Sequence, residues 1–131
     1  MYLLDSNILS EVMKPKPASR VRVWVLQQNR VALSTVTLEE IYFGLTYKDA
    51  YKQLVWFESF VEELAVIRPV TAEIAQYAGT LRARFRQQGI TRSQADMLIA
   101  ATAQHHGLVL ATRNTRDFEA CGVELFNPFT E

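Results

Sequence analysis

Short apolar runs, each ending in a polar or turn-forming residue, alternate along the chain with longer stretches whose apolar residues recur every three or four positions. The runs are Tyr2–Asp5, Val31–Ser34, Ala65–Arg68, Leu108–Ala111 and Val123–Phe126. Short apolar runs without in-and-out alternation read as strands buried on both faces. Between them the spacing predicts helices over Ile8–Met13, stopped by Lys14-Pro15-Lys16-Pro17, and over Ser19–Gln28, with Val21, Val25 and Trp24 inward. Thr37–Tyr47 and Asp49–Leu64 read as two nearly continuous helices. Thr71–Gln88 has the clearest stripe, with Ile74, Ala78, Leu81 and Phe85 at i, i+4, i+7 and i+11, and Gly89 ends it. Ser93–His106 closes on Gly107 in the same way.

Strands alternating with helices in this way predict one α/β domain over residues 1–131, with helices on both faces of a mostly parallel five-stranded sheet. Ligands of such sheets bind in the crevice at the carboxyl ends of the strands. Asp5 ends the first strand, so its carboxylate stands at the lip of that crevice and not in the core.

Further acids and amides fall at helix starts: Glu40 in Thr37-Leu38-Glu39-Glu40, Asp96 in Ser93-Gln94-Ala95-Asp96, and Asn114 and Asp117 after the fourth strand. Taken singly, each reads as a cap or half of a capping box. Taken together they read differently. Asp5 and the Asn114/Asp117 pair follow strands one and four, the usual neighbours of a switch point. Asp96 shares its stripe with Ile99, Ala100 and Ala103, so it faces the sheet, where an unpaired carboxylate is costly. Periodicity does not place Glu40, which lies off the buried side marked by Leu38, Ile41 and Leu45. If Asp5, Glu40 and Asp96 converged to ~5 Å, each pair would repel by roughly 3 kcal/mol at an effective dielectric near 20. Three pairs would approach ~10 kcal/mol, comparable with the whole stability of a domain. Such a cluster requires a proton or a cation, and an all-oxygen site suits Mg²⁺ or Mn²⁺.

Charge and composition narrow the partners. Lys+Arg and Asp+Glu both count 14, so a polyanionic partner would need a local basic patch. Arg82, Arg84, Arg86 and Arg92 lie between the long helix and Asp96, and Arg113 and Arg116 flank Asn114. Cys121 is the single cysteine, which excludes an intrachain disulfide and makes a cytoplasmic chain the default. The N-terminus lacks a basic n-region and a long apolar h-region, so no signal peptide is expected, and no apolar run approaches membrane-spanning length. His105 and His106 are adjacent and diverge by about 100° on a helix, which argues against a shared metal site.

The segments Leu3–Glu11, Ser34–Ile41 followed by Gly44, Ala95–Ala103, Leu110–Asn114 with Asp117-Phe118, and Phe126-Asn127-Pro128 come in the order and spacing of one family. Through them the chain resembles the PIN-domain family, specifically VapC-type (FitB-like) toxin ribonucleases of toxin–antitoxin pairs. The resemblance implies a PIN-like fold and cleavage of RNA phosphodiesters with Mg²⁺ or Mn²⁺. It also implies a homodimer and a small antitoxin protein that blocks the site. It matches Asp5, Glu40 and Asp96 to the acidic site, with Asp5 and Asp96 as metal ligands. Asn114 stands where the family often has a fourth acid, so either Asn114 or Asp117 completes the site. A polyanion brought to an acidic crevice needs a basic rim, for which Arg113 is the candidate substrate contact.

Trp56 and Phe60 fall on a different face of their helix from Leu54, Phe57, Val61 and Leu64. Exposed, they would form an interface; the alternative is packing under the Ala18–Gln28 helix. Rival functions fit less well. A phosphoacceptor receiver domain needs an acidic pair beside Asp5 and a late lysine, yet no Lys follows Lys52. A dehalogenase-type phosphatase needs D-x-D, and Asp5-Ser6-Asn7 lacks the second Asp. A catalytically weakened RNA- or protein-binding module is the alternative, given Asn114.

Overall fold

The computed structural model describes all residues from Met1 to Glu131. In chain order the elements are β1 (Tyr2–Leu4), α1 (Ser6–Val12), α2 (Ser19–Leu26), β2 (Val31–Ser34), α3 (Thr35–Tyr47), α4 (Tyr51–Leu64), β3 (Ala65–Arg68), α5 (Ala72–Gln87), α6 (Gln94–His106), β4 (Val109–Ala111), a 3₁₀ turn (Thr115–Phe118) and β5 (Leu125–Phe126). The strands form one sheet in the order β3-β2-β1-β4-β5, and every neighbouring pair is parallel. Leu3 lies beside Ala32 on one flank and Leu110 on the other.

The sheet is apolar on both faces because both are covered. Successive strand residues point to opposite sides. Leu3, Ala32 and Leu110 pack with Ile74, Ala78 and Phe85 of α5 and with Met97, Ile99, Ala100 and Ala103 of α6. Leu4, Val31, Leu33 and Ala111 pack with Ile8 and Leu9 of α1, Val21 and Val25 of α2, Ile41 of α3, and Phe57 and Phe60 of α4. Each fully buried Leu, Ile or Phe contributes roughly 1.5–3 kcal/mol relative to exposure, so the two cores together hold the layers against chain entropy. Glu11 is the buried acid of this second side. Its carboxylate accepts from Lys14 Nζ and from the Ala18 amide, both at 2.8 Å, and so fastens the proline-rich loop between α1 and α2.

Strand order reverses between β1 and β4. The chain goes outward through β2 and β3 and then returns to the far side of β1, which opens a crevice at the carboxyl ends of β1 and β4. The Asp5 amide donates to the Ala111 carbonyl at 2.9 Å and prolongs that ladder to the lip.

Three sequence expectations change. Helix α3 starts at Thr35, directly after β2, because Ser34 Oγ accepts from the Val36 amide at 3.0 Å. Thr37 is therefore inside the helix, its hydroxyl buried without a partner, and Thr37/Glu40 is not a capping box. Phe60 is buried at 5% exposure, and Trp56 is half-buried and stacks on it with ring centroids 5.2 Å apart. Both belong to the core side that includes Val21 and Val25 of α2, so this pair is not an exposed aromatic face. No helix is long and apolar enough to cross a membrane.

Candidate functional site

Asp5 leaves β1 with extended backbone and caps α1, its Oδ1 accepting from the Ser6 amide at 2.8 Å. Oδ2 accepts from the Thr112 hydroxyl at 2.9 Å and from Asn7 Nδ2 at 3.1 Å. Thr112 follows β4 directly and is itself fully buried. Its oxygen also accepts from the Asn114 amide at 3.0 Å, and Asn7 Oδ1 accepts from the Arg113 amide at 3.1 Å. The ends of β1 and β4 are thus tied by side chains across the crevice. Asp5 is only 5% exposed, and burial pushes its carboxyl above the usual range. The Thr112, Ser6 and Asn7 donors work against that rise, and the charge of Asp117 adds to it.

Glu40 and Asp96 complete an electrostatic cluster around Asp5. Glu40 projects from the second turn of α3, and its Oε1 is buried with no hydrogen-bond partner. Its carboxyl is raised by burial first and then by the charges of Asp5 and Asp96, with the Ser6 hydroxyl partly offsetting the rise. Asp96 lies in the first turn of α6, where its amide donates to Ser93 Oγ at 3.0 Å. That half of the capping box is present, as the sequence predicts. The Asp96 carboxyl is half-buried and raised by burial; Asp5 and Asp117 push it further, while Ser93 and Arg92 pull it back.

The two candidates after β4 differ in their surroundings. Asn114 is exposed, and its side chain makes no cap bond to the 3₁₀ turn. Asp117, in that turn, is the residue whose charge is felt at both Asp5 and Asp96. Arg113 is exposed, with its guanidinium 4.6 Å over the ring of Phe129. Thr112 and Asn7 escaped sequence reasoning as members of the site. The available signal was a small polar residue directly after β4, in Thr112, and an amide two residues beyond Asp5, in Asn7.

These side chains fit a hard divalent cation by donor chemistry. Three carboxylates are each raised first by burial and then by neighbouring negative charge, Asp5 acting on both Glu40 and Asp96 and Asp117 on both Asp5 and Asp96, and one carboxylate oxygen is buried without a donor. A buried, unpaired carboxylate oxygen is costly unless a cation meets it. The side chains do not already close on one point: no three acidic, His or Cys groups stand close enough to share an ion.

A family model described as PIN domain matches residues 2–123. A VapC ribonuclease of Sinorhizobium fredii is 33% identical over 98% of this chain and 98% of its own. A tRNA(fMet)-specific endonuclease VapC of Shigella flexneri is 34% identical over 92% of each chain. Among solved structures, FitAcB of Neisseria gonorrhoeae superposes over the full length of both chains with a TM-score of 0.83 at 31% identity.

Proposed function

The chain belongs to the PIN-domain family, and on that premise we propose that it is a divalent-metal-dependent endoribonuclease, the toxin of a toxin–antitoxin pair acting in the cytoplasm as a single domain. The observation that carries the reading is the cluster itself: from three separate elements, Asp5 raises the carboxyls of both Glu40 and Asp96, Asp96 raises that of Glu40, and one buried oxygen of Glu40 has no donor. A merely structural cluster would be paired with cations or hydrogen-bonded, as Glu11 is.

Asp5 and Asp96 would hold Mg²⁺ or Mn²⁺, with Glu40 turned toward the same crevice. Such an ion lowers the pKa of bound water and offsets charge on the attacked phosphate. The chain's own residues do the rest. Thr112 and Asn7 hold the Asp5 carboxylate in one orientation and favour its charged form. The free oxygen of Glu40 can accept a proton from an attacking water, and its raised carboxyl suits a general base. Asp117 supplies the fourth negative charge that Asn114 does not, so Asn114 gives no reason to prefer a weakened binding module. Arg113, exposed at the turn beside the site, is the proposed contact to a flanking phosphate of the RNA. A homodimer and a small antitoxin protein are the proposed partners, the antitoxin supported by a relative of this architecture solved as a toxin–antitoxin complex.

Expression of the chain alone, with sequencing of RNA ends, tests the reading. Discrete new ends that require Asp5 and Asp96, and cleavage in vitro that EDTA stops and Mn²⁺ restores, are expected. Full turnover in metal-stripped protein would refute it.

A further inference from the structure

We propose that the turn joining α5 to α6 forms a second substrate contact, an arginine-lined pocket that holds a backbone phosphate of the RNA strand whose scissile bond lies at the acidic crevice. The proposal rests on the ribonuclease reading above and adds to it the place where the strand is gripped. A cavity of about 400 Å³ opens there, lined by Gly79, Arg82, Ala83, Arg86, Thr91 and Arg92. Three arginines and one threonine line it, and no acidic residue does. Arg84, which the sequence groups with these arginines, is not part of the lining.

Each part of the pocket has a physical reason. Arg82 and Arg86 are one helical turn apart, so their side chains rise from the same face of α5. Both are exposed, and neither forms an ion pair or a hydrogen bond within the chain. Gly79, on the preceding turn, leaves the floor open: a Cβ there would meet nothing within 4 Å. Arg92 forms the fixed wall. Its guanidinium lies 4.7 Å over the Phe85 ring and donates to the carbonyls of Arg116 at 2.9 Å and Glu119 at 3.2 Å, with Nε left buried and unpartnered. One cation is therefore set in place before any ligand arrives, and two exposed, unpaired ones stand beside it. Planar guanidinium forks suit phosphate oxygens better than any other cationic side chain.

Position ties the pocket to the crevice. Arg92 immediately precedes Ser93, the cap of α6, and its charge reaches Asp96. The carbonyls it binds belong to the 3₁₀ turn and its exit, the same segment that carries Asp117. An acidic centre repels a polyanion, so affinity for the strand has to come from cations outside it. Contacts to phosphate fix register and carry no base information, so the pocket would hold any RNA sequence that the crevice accepts.

The test measures binding of a fluorescent single-stranded RNA oligonucleotide by anisotropy, in EDTA, across a salt series. Arg82→Gln/Arg86→Gln is compared with the parent and with Arg30→Gln/Lys48→Gln, which removes the same charge from surfaces outside this cavity. Each phosphate contact on a single strand contributes about 0.7 to the salt slope, so the pocket variant should lose about one unit of slope and about tenfold in affinity. The control variant should keep the parent slope, and all three proteins should melt alike. With Mn²⁺ the pocket variant should show a raised KM with kcat retained. Equal losses in both double variants would mean diffuse charge and overturn the pocket. An unchanged pocket variant beside a parent that cleaves RNA would overturn the pocket and leave the ribonuclease reading standing. A loss confined to antitoxin affinity would assign the arginines to the protein partner and overturn the proposal. A parent that neither binds nor cuts RNA would remove the ribonuclease reading itself.

Discussion

Replacing Thr112 by Val tests whether the bond that spans β1 and β4 exists to keep Asp5 ionised. Valine has nearly the same shape but cannot donate to Asp5 Oδ2 or accept from the Asn114 amide. A hydrogen bond to a charged group is worth about 1.5–3 kcal/mol, and one to a neutral group about 0.5–1.5 kcal/mol. Asp5 is buried, so little of this is lost to solvent screening. Thr112→Val should therefore cost about 2 kcal/mol where Asp5 is charged and about 1 kcal/mol where it is protonated. The Asp5 carboxyl should rise further, because the donor that opposes the effect of burial is gone. Urea denaturation of metal-free protein at acid and at slightly alkaline pH reads both quantities, and Thr112→Ser should restore most of the loss. Metal must be absent, since binding to the folded state alone would add its own stabilisation. A cost that is the same at both pH values, or no rescue by serine, would mean that Thr112 acts as core packing and not as a donor to a carboxylate.

Three further outcomes follow from the site and the core. Asp5, Glu40 and Asp96 all have folded-state carboxyls raised above their unfolded values, so their contribution is fully present below the ordinary carboxylate range near 4 and is lost as pH rises through the raised values. Metal-free protein carrying Glu40→Gln and Asp96→Asn should thus lose less stability than the parent between weakly acid and neutral pH in calorimetric scans; a steeper loss would contradict the assigned directions. In Mn²⁺ titration calorimetry, Asp96→Asn should abolish tight binding and RNA cleavage with the fold intact, Asp117→Asn should weaken binding more mildly, and Asn114→Asp should strengthen it. Phe60→Ala should cost about 3–5 kcal/mol of stability in denaturant melts, as a core truncation does, and a cost under 1 kcal/mol would return Phe60 to the surface.

What the sequence makes legible is set by the range of the interaction behind each feature. The strands were readable to within a residue or two because both faces of the sheet are buried, which leaves unbroken apolar runs. Asp5 and Asp96 were readable from a strand end and a helix stripe, both local patterns. Glu40 was not placed by periodicity: half-buried and off the stripe of α3, it was a candidate by charge alone, and its match to the acidic site came from the resemblance. The Thr37/Glu40 cap failed because Ser34, three residues earlier, starts the helix. Phe60 was misjudged because α4 buries a broad stripe, with Trp56, Phe57, Phe60, Val61 and Leu64 all packed to one core. A face that wide looks, in a sequence, like two narrow ones. Thr112 was invisible because its partner lies 107 residues away, and nothing local distinguishes it from any threonine in a turn.

That same separation governs when the protein becomes dangerous to its own maker. β1, the earliest of these five strands, meets β2 soon after it is made but gains its other neighbour, β4, only near the end, and Asp5 is gripped by a hydroxyl made more than a hundred residues later. Every acid of the cluster is supplied by a different element, and pairings this distant in sequence close late and slowly. A ribosome making this chain therefore carries, for most of the synthesis, a polypeptide with no assembled centre. The message being read and the RNAs reading it are exposed to a finished nuclease only after the segment through Thr112 has emerged and folded back on the beginning. The interval before that closure is time in which the antitoxin proposed above can already be waiting.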